Sequence, residues 1–129
     1  MISFVADTHA LYWQLSEPHR LGRAARRAFN AAESGQGVCH VPAIVLIEIS
    51  LLHERGRVGL GATQVAEMLA SHSAYAVLPI DIQQCLEFAA LIGIKDPMDR
   101  LIAAAARVTK GRLVSSDGVF DDYLDRVWE

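Results

Sequence analysis

The chain offers little that would make its role obvious at once. Among its 129 residues there are only two cysteines, Cys39 and Cys85. They match no CxxC or Cys/His spacing and stand among apolar neighbours. That excludes a disulfide framework and a thiolate zinc site, and both read as small buried core residues of a reducing compartment. No second histidine stands at metal-binding spacing from His9 or His40, so both read as hydrogen-bonded structural residues and not as metal ligands. No apolar run approaches the length of a membrane span, and the short run Ile2–Ala6 lacks the basic flank and length of a signal peptide. A cytoplasmic location without membrane association is therefore expected. There is no excess of positive charge either: the net charge of −3 excludes a basic protein that simply coats nucleic acid. Lysine is scarce, since ten of the 12 basic residues are arginine. Arg20, Arg23, Arg26 and Arg27 gather on one predicted helix. The arginine fork suits phosphate or carboxylate, although a solvated helix face is the simpler account of such a cluster.

What is present is an ordinary globular composition, 52% apolar and 21% charged. The length suits a single domain, 1–129, with one core and no internal repeat or linker. Short apolar strands at 2–6, 38–41, 75–80 and 112–115 alternate with helical patterns, and 126–128 can form a fifth, edge strand. The intervening helices are expected near 10–15, 21–32, 42–55, 62–71, 82–91 and 97–108, with Val65, Met68 and Leu69 facing inward. Gly56 and Gly111 are expected to end helices. This alternation implies an α/β fold with a mainly parallel four- to five-stranded sheet covered on both faces. In such sheets a site forms outside the carboxyl ends of the strands, where strand order reverses.

The acids carry the chemistry. Asp96-Pro97-Met98-Asp99-Arg100 opens a helix that is apolar on nearly every face. Proline suits the first helical position, so Asp96 is the N-cap and Asp99 lies one turn on, near the positive end of the helix dipole. Asp7 and Asp117 stand at the carboxyl ends of the first and fourth strands. Each has a local alternative, Asp7 as a helix cap and Asp117 in an Asp-Gly turn. Glu48 is the most informative. It lies within Ile44-Val45-Leu46-Ile47-Glu48-Ile49-Ser50-Leu51-Leu52, with no basic residue at helical spacing. A carboxylate buried there must be paired with a distant arginine, neutralised, or bound to a cation. Acids from separate segments at one sheet edge repel unless a cation offsets them, and an all-oxygen set selects a hard ion such as Mg²⁺ or Mn²⁺. Such an ion activates water and stabilises charge on phosphate oxygens, which points to phosphodiester or phosphate chemistry.

Four segments, in order and spacing, resemble the PIN-domain ribonucleases, specifically the VapC-type toxins of toxin–antitoxin pairs. They are Phe4-Val5-Ala6-Asp7-Thr8-His9-Ala10-Leu11, Val41-Pro42-Ala43-Ile44 through Glu48-Ile49, Asp96-Pro97-Met98-Asp99-Arg100 with the apolar run after it, and Leu113-Val114-Ser115-Ser116-Asp117. The resemblance implies a three-layer α/β/α PIN-like fold and endonucleolytic cleavage of RNA at a cluster of four acids. It places Asp7, Glu48, Asp99 and Asp117 on the acidic positions that bind one or two Mg²⁺ or Mn²⁺ ions, and makes Asp96 an extra pocket acid, a secondary or water-mediated ligand. Ser115 falls on a site-lining hydroxyl position, and His9 and Arg100 are expected beside the site. The resemblance further implies a homodimer and a cognate VapB-type antitoxin whose C-terminal segment occupies the active-site groove. Ile47 before Glu48 and Ile94-Lys95 before Asp96 depart from the family pattern without touching an acidic position. The competing reading is a catalytically inactive PIN fold serving as a protein- or RNA-binding module. A phosphoacceptor receiver domain would need a second acid beside Asp7 and a lysine after the last strand, and the chain has neither.

Overall fold

A computed structural model describes all residues, 1–129. Five strands, β1 (Ile2–Ala6), β2 (Gly37–Pro42), β3 (Tyr75–Leu78), β4 (Arg112–Val114) and β5 (Arg126–Val127), form one sheet in the order β3-β2-β1-β4-β5. Every neighbouring pair is parallel. Phe4 aligns with Cys39 on one side and with Arg112 on the other, so β1 is the central strand. Phe4, Val5 and Ala6 are consecutive yet all buried, which requires cover on both sheet faces. That cover is supplied by α1 (Thr8–Ser16), α2 (Arg23–Glu33), α3 (Ala43–Glu54), α4 (Ala62–Ala70), α5 (Ile82–Ala90) and α6 (Pro97–Thr109). The chain moves outward from β1 to β3, then returns across the sheet to β4. Right-handed crossovers therefore set α5 and α6 on the face opposite α2. Strand order reverses between β1 and β4, and the carboxyl ends of these two strands open on the same edge.

Local chemistry fixes the helix starts. Asp7 caps α1, its Oδ1 accepting the Ala10 N–H at 2.9 Å, and Asp81 caps α5 through the Gln84 N–H at 3.0 Å. Asp96 caps α6 by accepting the Asp99 N–H at 3.0 Å, with Pro97 at the first helical position. Ala103, Ala104, Ala105 and Ala106 are all buried, so small side chains let α6 lie close to its neighbours on every side. Gly56 has φ +71° just past α3. At the end of α6 the left-handed residue is instead Lys110, at φ 55°, and not Gly111. Gly111 is small for another reason: a Cβ there would stand 3.1 Å from both Ser3 Oγ and Val5 Cγ2.

Three expectations about burial fail, at α3, Cys85 and Met68, and α5 shows the same effect, because apolar sequence exceeds available cover. The apolar helix α3 is not buried all round, and Ile47 is half exposed. Cys39 is in the core, but Cys85 is exposed. On α5 the buried residue is Gln84, whose amide donates to the Pro79 carbonyl, while Ile82 and Leu86 are 72% and 65% exposed. On α4, Val65 and Leu69 are buried but Met68 faces the surface.

Candidate active site

The carboxyl ends of β1 and β4 open into a cavity of about 300 Å³ lined by Asp7, Thr8, His9, Glu48, Asp96, Asp99, Ile102, Ser116 and Asp117. Each acid arrives by a different local device. Asp7 follows the last residue of β1, and its N–H extends the ladder to the Val114 carbonyl at 3.1 Å. Its cap bond to Ala10 then holds the carboxylate at the cavity. Glu48 projects from α3. Asp96 and Asp99 are the cap and first turn of α6. Asp117 follows β4; it accepts the Val119 N–H at 2.9 Å and donates its own N–H to Ser115 Oγ at 3.0 Å. The cap and turn roles anticipated for Asp7, Asp96 and Asp117 therefore coexist with a place on the cavity wall.

Glu48 is only half buried, contrary to expectation. Its Oε1 accepts a hydrogen bond from the Thr8 hydroxyl. No arginine neutralises it: the ion pairs of the chain are Arg20–Glu17, His72–Glu33 and Arg126–Asp121. The paired-carboxylate alternative for Glu48 therefore has no partner.

The electrostatics show that the acids share one field. Burial, then Asp96, Asp117, Glu48 and Asp7 in turn, push the Asp99 carboxyl up to about 6. Burial also raises Asp7, against the lowering effects of the Ser115 hydroxyl, the Ala10 N–H and His9, with Glu48 adding to the rise. Like charges thus face one another without an internal cation, a costly arrangement for a fold to keep unless something cationic uses it. The donors are all oxygens, which suits a hard divalent ion. No three of the chain's Asp, Glu, His or Cys side chains converge tightly enough to enclose an ion by themselves. The wall therefore fits an ion held through one or two carboxylates with water in the remaining positions, the usual habit of Mg²⁺.

Two expected residues sit differently. Ser115 is fully buried beneath the cavity, where its hydroxyl bonds the Asp7 carboxylate and accepts the Asp117 N–H, and the neighbouring Ser116 lines the wall instead. Arg100 turns away: its Nε donates to the Ile94 carbonyl at 2.7 Å and its guanidinium lies 4.6 Å over the Phe88 ring. His9 is at the rim as expected. Thr8 is the residue that sequence reasoning missed. Its signal was a hydroxyl immediately after the strand-end acid, but its partner is 40 positions away.

Comparison with known proteins supplies independent context. The PIN-domain family model matches residues 4–124. The chain is 30% identical over 119 residues to ribonuclease VapC22 of Mycobacterium tuberculosis, covering 91% of this chain and 88% of that protein. Its fold is similar to that of VapBC2 from Rickettsia felis, solved bound to a promoter DNA fragment, with a TM-score of 0.72 at 14% identity over 99% of this chain and 100% of that one. It is also similar to Mycobacterium tuberculosis VapC20, a toxin that cleaves the sarcin-ricin loop, with a TM-score of 0.64 at 16% identity over 94% and 95% of the two chains.

Proposed function

The chain belongs to the PIN-domain family, and from that premise we propose that it is a divalent-cation-dependent endoribonuclease, the toxin of a VapBC-type toxin–antitoxin pair. One observation carries this reading. Acids from four segments line a single cavity at the strand-order reversal, where burial and then their mutual repulsion lift Asp99 to about 6. In this reading Mg²⁺ or Mn²⁺ lies among Asp7, Glu48, Asp99 and Asp117, held directly by one or two of these carboxylates and through water by the others, with Asp96 acting through water at the rim. A bound ion supplies an activated water and offsets charge on the phosphate oxygens. The chain's own residues do the positioning. Thr8 orients Glu48 through its hydroxyl, Ser115 braces Asp117 from below, and the cap bonds fix Asp7 and Asp96. In the same reading His9 and Ser116, on the cavity wall, face the RNA.

The partners follow from the same reading. A VapB-type antitoxin would occupy the groove with its C-terminal segment, and a basic side chain there would relieve the repulsion that the acids now carry. The exposed apolar side chains Val77, Ile80, Ile82, Leu86 and Ile92, from β3 to just past α5, support a homodimer formed through this part of the chain. Residues 1–129 then act as one PIN domain in the cytoplasm. The test is cleavage of single-stranded RNA by the purified chain in Mg²⁺ or Mn²⁺ against EDTA. Asp7→Asn and Asp99→Asn are expected to abolish cleavage with unchanged circular dichroism. Both variants cutting like the parent would refute the assignment, and a parent that binds RNA without ever cutting it would favour the binding-module reading.

A further inference from the structure

The arginine cluster plays no part in the acidic cavity, yet it is joined to it by a line of rings. His9 stands on the cavity wall. One turn along α1 the Trp13 ring lies 5.6 Å from His9, tilted by 52°. Trp128 lies 5.9 Å further, tilted by 56°. The Arg20 guanidinium sits 4.5 Å over the Trp13 ring. Its side chain is still 50% exposed and pairs only loosely with Glu17, at 3.8 Å. Trp128 is fixed in this place by backbone: the Ala25 N–H donates to its carbonyl at 3.0 Å, and Gly22 permits the approach, since a Cβ there would fall 2.2 Å from that oxygen.

Beside these rings, α2 opens with Arg23, and its first turn contains no acidic residue. Cations at the positive end of a helix oppose the dipole, and neither Arg23 nor Arg26 has a carboxylate partner to offset this. Arg26 gives one N–H to the Pro18 carbonyl. Arg20, Arg23 and Trp128 line an open cavity of about 570 Å³, and Glu129 on the same wall forms no ion pair with either arginine. A solvated arginine face needs neither the ring line nor this concentration of unpaired charge at the wrong helix end. Sites where a local rule is broken without an internal compensation are where ligands supply it.

We infer that His9, Trp13, Arg20 and Arg23 form a track for single-stranded RNA leading away from the acidic cavity. Bases stack on the exposed faces of His9 and of the Arg20 guanidinium, which rests over the Trp13 ring, and phosphates pair with Arg20 and Arg23. Sequence-tolerant stacking combined with a cationic edge is the general means of holding single strands. This inference rests on the ribonuclease reading for its direction, because it makes the track a guide toward the bond to be cut.

The test is fluorescence anisotropy in EDTA, which excludes cleavage, with a single-stranded 12-mer oligoribonucleotide and the same sequence as a duplex. The surface double variant Arg20→Ala/Arg23→Ala is expected to bind the single strand at least about tenfold more weakly. The slope of log affinity on log salt should fall by about 1.4, or about 0.7 for each phosphate that is no longer neutralised. Trp13→Ala should weaken single-strand binding more than duplex binding. With Mg²⁺ present, the double variant should raise KM for the 12-mer with little change in kcat. Unchanged affinity of the double variant overturns the inference. So does an equal loss for duplex and single strand, or a loss of affinity for purified antitoxin alone, which would make the surface a protein-binding one. A parent chain that binds the 12-mer but leaves it intact in Mg²⁺ and Mn²⁺ fails the ribonuclease reading, while the EDTA comparison still decides the track.

Discussion

Asp99→Asn is expected to stabilise the fold, and the size of the effect can be worked from the site. The Asp99 carboxyl is pushed up to about 6 from its ordinary 3.8 by burial and by Asp96, Asp117, Glu48 and Asp7. A raised acid binds protons more tightly in the fold than in the unfolded chain. Its contribution is thus most favourable below about pH 4, is lost as pH rises toward 6, and is a constant cost above that. At face value the cost at neutral pH is about 3 kcal/mol, from about 1.4 kcal/mol per tenfold change in proton affinity. Asp99 is partly open to water, which screens the repulsion, so about half is a better figure. Asparagine keeps the size and the backbone N–H bond to Asp96 but loses the favourable interaction of a charge with the α6 dipole, worth about 0.5 kcal/mol. The net expectation is a gain of about 1 kcal/mol at pH 7.5 in EDTA, or about 3–6 °C in Tm. At pH 4.5 the gain should shrink toward zero, because aspartate is already largely protonated there in the fold. The assay is thermal or urea unfolding of parent and variant at both pH values, with and without Mg²⁺. Mg²⁺ should raise the Tm of the parent by linkage and that of the variant much less. A variant that is less stable than the parent at pH 7.5, or equally shifted at both pH values, would refute the claim that the acids repel one another in a shared field.

Other outcomes follow from the same structure. Thr8→Val keeps the buried shape but removes the hydrogen bond to Glu48; it should lower the cleavage rate about tenfold while costing at most about 1 kcal/mol in urea unfolding, since the freed carboxylate can take up water. Leu86→Asp, at a position 65% exposed on α5, should convert a dimer to a monomer in light scattering with a normal circular dichroism spectrum; a dimer that survives would remove α5 from the interface. In the native chain a disulfide reagent such as DTNB should react with the exposed Cys85 and spare Cys39, whose buried thiol is pushed up to about 12, and both should react after denaturation.

The sequence alone determined the sheet, the helices and the acids that line one cavity. Alternating strand and helix patterns, the Asp-Pro start of α6 and the Asp7 cap act over a few residues, so their consequences appear in the chain order itself. The same locality explains what it could not determine. Cover on α5 and α3 is a property of the whole packing, so an apolar helix could not reveal that Gln84 turns inward while Cys85, Leu86 and Ile47 face out. The bond from Thr8 to Glu48 joins residues 40 positions apart. Ser115 and Ser116 are adjacent in sequence, and only the strand's alternation against a fixed core decides that one is buried as a brace and the other lines the cavity. Arg100 was drawn off by the Ile94 carbonyl and the Phe88 ring, partners that helix spacing does not reveal. Trp13 and Trp128, at opposite ends of the chain, meet only because the backbone after β5 is tied to the start of α2. Local hydrogen bonding and hydrophobic period write the elements into the sequence. Which side chains then share a cavity or a surface depends on register and volume across the whole core, and only the folded structure supplies those.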